Sequence, residues 1–384
     1  MHLPLLLLSA AGFAASAAIR ITDPVLPQIA EAFSTTVGGA AFTVTTFTLG
    51  YGFAQLAYGP LADRVGKLRV MAGALIASAL LAMACAWAPT LPVLAGLRLL
   101  AGAAGAAAIP LSMAYIADAT PYATRQTTMG RFMSAVILGN ILSVVVGGAI
   151  GDWLGWRAIF GTLAGVQCVI AIGLLRAVRG EPKTQAAPPS WRTYADLAKR
   201  PYAQRVLGAA LVEGTVLLGA MPFLGALLRA RFELSYLVIG LILAGIAVGS
   251  LLFTLSVRTL LPRLGERRLL VGGGLVSGAG FVAAVIMPHW LISIPVMLAI
   301  GFGFFMLHNT MQALASEIAP ASRATGLTLF VFCVFLGQGI GAFVLGTIID
   351  RWGYGAAFGI AAAVVVALGF WLARNVAGQR MATP

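Results

Sequence analysis

The stretch Asp152-Trp153-Leu154-Gly155-Trp156-Arg157-Ala158-Ile159-Phe160-Gly161 is written again 198 positions later as Asp350-Arg351-Trp352-Gly353-Tyr354-Gly355-Ala356-Ala357-Phe358-Gly359. The Asp, the first Gly, the Ala, the Phe and the last Gly keep their places. Asp118 and Pro121 return as Glu317 and Pro320 at an offset of 199, Arg125 as Arg323 at 198, and Gly66 as Gly265 at 199. A chain of 384 residues that repeats itself in the same order at half its length is built from two copies of one unit.

Composition says what that unit is made of. Sixty per cent of the residues are hydrophobic and only 10% are charged, and the mean hydropathy of +0.95 is far above what a soluble core needs. Apolar runs of about 20 residues, enough to cross a ~30 Å hydrocarbon layer, recur along the whole chain. The pattern predicts spans over 3–33, 37–58, 68–88, 91–116, 127–150, 157–177, 205–228, 235–257, 268–288, 290–315, 324–348 and 355–375. Runs of this length without alternation are helices, because in lipid the backbone must satisfy its own hydrogen bonds. The expected architecture is an all-α membrane protein with twelve transmembrane helices in two pseudo-symmetric six-helix bundles. Repeats in the same order six spans apart imply bundles related by an axis along the membrane normal.

The net charge of +13 would suggest a nucleic-acid partner in a soluble protein, but here the placement of the basic residues decides. With the amino terminus inside, 19 of the 25 Lys and Arg fall in inward loops, at the inner ends of spans or in the tail. Four, namely Arg157, Arg229, Arg231 and Arg351, fall in outward loops. That asymmetry predicts cytosolic termini, anionic lipid headgroups as the partners of the charge, and no nucleic acid. Met1 to Ala17 has the apolar stretch and small residues of a secretory leader but no basic residue before them, so it reads as the first span. Cys85, Cys168 and Cys333 lie far apart without metal or redox spacing and read as small buried hydrophobes.

The longest polar stretch divides the chain into an amino-terminal bundle (1–177), a cytosolic linker (178–204) and a carboxyl-terminal bundle (205–384). Within the linker Ser190 can cap a short helix with Trp191, Tyr194, Leu197 and Ala198 on one face, expected to lie on the inner membrane surface.

Between the second and third spans stands Gly59-Pro60-Leu61-Ala62-Asp63-Arg64-Val65-Gly66-Lys67-Leu68-Arg69. It resembles the Gly-x-x-x-Asp-Arg-x-Gly-[Arg/Lys] loop of the major facilitator superfamily. The resemblance implies a cytosolic latch between bundles, with Gly59, Asp63, Arg64 or Lys67, Gly66 and Asp118 as its members. Leu94 to Gly102, with Arg98 ahead of a glycine-rich stretch, is similar to the fourth-span pattern of drug and sugar efflux carriers. Asp23-Pro24-Val25-Leu26-Pro27 is similar to the first span of the twelve-span drug:proton antiporters. Gly139 to Gly148 resembles their fifth span, except that Ser143-Val144 stand where that branch has the Gly-Pro pair thought to seal the antiporter by kinking the helix.

Ionisable groups at bilayer depth are expensive and are therefore candidates for function. Arg20 and Asp23 share a helix face, and Arg20 lies roughly 26 Å along the helix from Leu3. Two roles stay open for the pair: an outer-surface anchor, or a charged lining of the substrate path broken out by Pro24 and Pro27. The resemblance implies that Asp23 and Arg98 lie close together, so protonating the carboxylate would release the guanidinium; a structural ion pair is the alternative. Glu213 has no basic neighbour within its span, and burial favours its protonated form, making it the better proton acceptor. Neutral polar groups add Asn140 and its repeat equivalent Gln338, with His308, Asn309 and Gln312 in the tenth span; each can also serve as interhelical glue.

These features point to a secondary transporter in a bacterial inner membrane, monomeric and without cofactor, exporting small amphipathic molecules with a proton gradient as the energy source. A sugar or organic-anion permease is the alternative, favoured if Arg20 and Arg98 are unpaired. An intramembrane enzyme is disfavoured by the lack of HExxH, GxSxG or a workable acid pair, and an ATP-driven pump by the lack of GxxxxGK[ST].

Overall fold

A computed structural model describes residues 3–178, 191–319 and 323–376. The expected Ser190 cap, linker residues 179–190 and Pro320 lie outside them. Every regular element among the described residues is helical. The first half contains α1 (Leu3–Arg20), α2 (Leu26–Ala32), α3 (Val37–Val65), α4 (Lys67–Ala86), α5 (Leu91–Gly105), α6 (Ala108–Ala119), α7 (Tyr122–Leu154) and α8 (Trp156–Ala177). After the linker helix α9 (Trp191–Ala198) come α10 (Pro201–Glu213), α11 (Met221–Phe232), α12 (Tyr236–Ile286), α13 (Ser293–Ser316) and α14 (Arg323–Asn375). Nine helical segments among the described residues are long and apolar enough to cross a membrane.

Turn chemistry sets the boundaries. The expected first span does not run straight: α1 stops at Arg20, a 3₁₀ turn covers Asp23–Val25, and α2 starts with Pro27 in its first turn. Proline at these positions lacks the N–H a continuous helix needs. The spans expected as eighth and ninth, and as eleventh and twelfth, run on as α12 and α14, broken in backbone angle at Gly265 and Gly353. The positive-φ glycines are Gly66, Gly155, Gly265 and Gly353, and they form two repeat pairs. Glycine adopts this conformation at no steric cost, so the duplication is preserved where the chain must turn.

The chain divides into two compact units, each taking in a short piece of the other sequence half. Unit 1 comprises 1–35, 42–189 and 235–240; unit 2 comprises 36–41, 190–234 and 241–384. In unit 1, α4 packs along α8 and α1 along α7 around a core that includes Leu8, Met71, Leu111, Phe132 and Leu174. In unit 2, α10 and α13 pack on α14, while Phe253, Leu269 and Met306 form a second core. Large apolar side chains outside these cores face outward: Leu80, Val169 and Leu255 are 68%, 72% and 70% exposed, as acyl-chain contact requires.

Glycines bring the helices together in both units at corresponding positions. A Cβ on Gly50 would strike the carbonyl of Leu99, and one on Gly102 that of Phe47. In the second copy Gly249 meets Leu298 and Gly301 meets Ile246 in the same way, each pair 199 residues on. Gly139 against Phe13 and Gly337 against Leu211 repeat the arrangement at 198. In a membrane, where lipid is as apolar as the helix surface, such close backbone approach drives association.

Tyr194 and Leu197 of α9 are buried against α10 and α14. One local expectation is revised. Of the cysteines, Cys85 is buried, but Cys168 is exposed and Cys333 half-buried.

Candidate functional site

Unit 1 holds a guanidinium in a nearly closed aromatic setting. Arg98 comes from the middle of α5 and is 2% exposed. Its Cζ lies 3.9 Å from the ring centroid of Phe47 on α3 and 5.6 Å from that of Phe160 on α8. Ring faces attract a cation, most strongly where water is excluded. Nε and Nη2 have no hydrogen-bond acceptor among the described residues. These two N–H groups form the side-on fork of the guanidinium, the edge that matches a carboxylate in a bidentate pair.

Asp23 does not fill that fork. It is buried in the 3₁₀ turn and accepts from Nε of Arg20 at 3.3 Å. The side chains of Arg20 and Asp23 are 16% and 5% exposed, so the pair is largely enclosed. The break caused by Pro24 and Pro27 is what turns the carboxylate into the protein.

Unit 2 holds the opposite charge. Glu213, the last residue of α10, is fully buried. Immediately after it the helix widens into a π turn over Gly214–Leu218, closed by a bond from Gly219 N to Gly214 O at 2.8 Å. Single π turns of this kind recur at functional sites because they shift side chains out of helical register. His308 on α13 places Nδ1 3.1 Å from Oε1 and 3.2 Å from Oε2 of Glu213. The imidazole stands among Phe304, Phe305 and Phe330, with ring centroids 5.2, 6.1 and 5.4 Å away. Gly214, Gly337 and Gly341 let the π turn approach α14 at backbone distance, next to buried Gln338. A carboxyl and an imidazole in contact can share or exchange one proton.

A third cluster closes the turn after α3. Lys67 is 7% exposed and binds Oδ2 of Asp118 at 2.7 Å, with Oδ1 of Asp63 at 3.9 Å. Gly66, at φ 109°, makes the sharp reversal that delivers the ammonium between the two acids. Of the two basic residues considered for this position, Lys67 makes the contacts and Arg64 is exposed. Gly59 lies in the last turns of α3 with open space around its Cα.

The remaining polar candidates are quieter. Asn140, on α7, is half-buried, and its carbonyl accepts from Ser143 Oγ at 2.9 Å. Asn309 and Gln312 are half-buried on α13. Sequence reading found no basic neighbour for Glu213 within its own span and kept His308 as a separate candidate. The contact between them spans 95 positions, and no spacing signals it. It also missed Phe47 and Phe160 around Arg98.

Charged clusters enclosed among apolar helices, with large apolar side chains facing outward, fit a multi-pass membrane protein. The Major Facilitator Superfamily profile matches residues 8–342 and again 220–382, and the chain belongs to that family. Relatives include the uncharacterised MFS-type transporter YwfA of Bacillus subtilis (strain 168), 26% identical over 97% of this chain and 92% of that protein. YceJ of the same organism, also an uncharacterised MFS-type transporter, is 24% identical over 85% and 84%. A chloramphenicol resistance protein of Pseudomonas aeruginosa is 33% identical over 41% of this chain and 38% of its own length. Among solved structures, the nucleoside transporter NupG superposes with a TM-score of 0.79 at 17% identity, covering 97% of this chain and 98% of that one. A bacterial homologue of the human lysosomal transporter Spinster gives 0.77 at 17% identity over 96% and 94%. The protein is an integral membrane transporter and not an enzyme.

Proposed function

We propose that this transporter exports small amphipathic molecules in exchange for protons, with Glu213 as the group that alternates between proton and substrate. The observation that carries this reading is the fully buried carboxyl of Glu213 held against His308 within an aromatic surround. A buried acid is costly while charged, so it gains from a proton or a cationic partner. Asp23 is a second buried carboxylate, and its protonation would release the guanidinium of Arg20. The partial likeness to the chloramphenicol resistance protein supports export of drug-like compounds. In this reading the protein sits as a monomer in a bacterial inner membrane with both ends cytosolic, needs no cofactor, and uses Lys67, Asp63 and Asp118 as an inner latch.

The test is flux into proteoliposomes under an imposed pH gradient, with a panel of cationic, neutral and anionic compounds. Gradient-driven movement of a cation or neutral amphiphile is expected, and its loss in Glu213→Gln. Undiminished coupling in that variant removes Glu213 from the mechanism.

One observation favours a second reading, an organic-anion permease: the side-on fork of Arg98 meets no acceptor among the described residues while Asp23 is engaged by Arg20. In that case carboxylates from the same panel move, and Arg98→Lys, which keeps charge but loses the planar fork, abolishes their flux.

A further inference from the structure

The turn at Gly265 is the second copy of the turn at Gly66, with different charges. In the first copy Asp63 and Asp118 flank Lys67. In the second, 199 positions on, Pro262 stands in the place of Asp63 and Glu266 in that of Lys67, while Arg263 and Arg268 answer to Arg64 and Arg69. Arg258 replaces Gly59, and Arg267 replaces Leu68. Residues 258–268 thus carry four arginines against one acid. Arg258, Arg263 and Arg268 are exposed, and none of the three takes part in an ion pair among the described residues.

The core of unit 2 fixes which way this end of α12 faces. Val257, Leu260 and Leu264 pack on the cluster of Phe253, Leu269 and Met306. Phe253, Val257, Leu260 and Leu264 share one helix face, and Leu255 and Pro262 fall opposite. Leu252 and Leu255 are 47% and 70% exposed. In a membrane helix such a face lies against acyl chains, which are as apolar as leucine. Arg258 and Arg263 stand on either side of Leu255, about 60° and about 80° around the axis from it and about 7.5 Å apart along the axis. Arg268 follows just past the break at Gly265.

Guanidinium groups match phosphate oxygens in bidentate geometry. A soluble polyanion or an acidic protein would meet these arginines but leave Leu252 and Leu255 uncovered. An anionic phospholipid covers both. We infer that Arg258, Arg263 and Arg268 form a binding site for one anionic phospholipid, its phosphate between Arg258 and Arg263 and its acyl chains along Leu252 and Leu255. Basic loops attract anionic headgroups in general; here the attraction is narrowed to one place, wholly within unit 2. The site requires α12 to lie in the membrane and nothing of proton exchange or direction, and its test uses no transported compound, so this inference and the export reading fail separately.

The experiment is native mass spectrometry of the full chain in detergent, titrated with phosphatidylglycerol or with phosphatidylcholine of the same acyl chains. The parent protein should hold phosphatidylglycerol about tenfold more tightly. Arg258→Gln and Arg263→Gln should each weaken it about fivefold, the effect of one charge near a lipid surface, and the triple variant with Arg268→Gln should remove the preference. The control, Arg69→Gln with Arg131→Gln and Arg176→Gln, takes the same charge from exposed positions of unit 1 and should change binding by less than about twofold. Equal losses in the two triple variants, or a parent that holds both lipids alike, overturn the site. Displacement of phosphatidylglycerol by inorganic phosphate at the same concentration also overturns it, since the arginines would then serve a soluble anion. If the triple variant does not fold, the two single variants are read against Arg69→Gln by the same rule.

Discussion

His308 on α13 holds its Nδ1 within 3.2 Å of both carboxylate oxygens of Glu213 on α10, inside a unit where the acid has no exposure to solvent. Breaking such a pair from one side strands the other partner. His308→Ala is therefore expected to lower stability by about 1–3 kcal/mol, the cost of leaving a buried hydrogen-bonding group without its partner. The double variant Glu213→Gln with His308→Ala should recover part of that loss. Thermal unfolding of the three variants in one detergent measures it; a double variant less stable than His308→Ala alone would contradict a pairwise interaction.

Gly102 and Gly301 occupy equivalent tight crossings, and in each a methyl group would meet a carbonyl of the neighbouring helix. Alanine at either site should cost about 1–3 kcal/mol through overpacking. Gly96, on the same helix as Gly102, has open space where a Cβ would stand, with nothing within 4 Å. Gly96→Ala should be neutral or stabilising by about 0.5–1 kcal/mol, since glycine inside a helix carries an entropic cost. Melting temperatures that do not separate the two classes would refute this packing scheme.

Lys67 is enclosed between two acids, while Arg64 is exposed on the same turn. Lys67→Gln leaves Asp63 and Asp118 facing each other without a cation and should slow transport severalfold. Arg64→Gln should change the rate by less than about twofold, as expected of an exposed charge. Initial rates in proteoliposomes decide; equal effects of the two substitutions would show that the loop acts through its total charge.

α7 runs unbroken for 33 residues through Ser143-Val144. Writing Gly-Pro there, as Ser143→Gly with Val144→Pro, removes an internal hydrogen bond and sets the ring against the preceding turn, a cost of about 3 kcal/mol. Gly147 and Gly148, just beyond, pack against Ile21 and Tyr236, so a kink at this point disturbs both contacts. A drop in thermal stability is expected. Unchanged stability would mean that α7 already bends there in the membrane.

Much of the architecture was legible in the chain itself. Apolar length and the 198-residue echo of Asp152 to Gly161 require no contacts to be read, because burial in lipid and helix turning act on local segments. The same echo carries down to Gly66 and Gly265, whose backbone angles only glycine accepts freely. The meetings between helices were a different matter. A soluble helix marks its inner face by polarity, but a membrane helix is apolar on both its lipid and its protein side, so the faces cannot be told apart from the order of residues. Tertiary structure therefore decided that Asp23 takes Arg20 in preference to Arg98, that Glu213 meets His308, and that Asp152 and Asp350 each hold the opening turn of a helix from the other repeat.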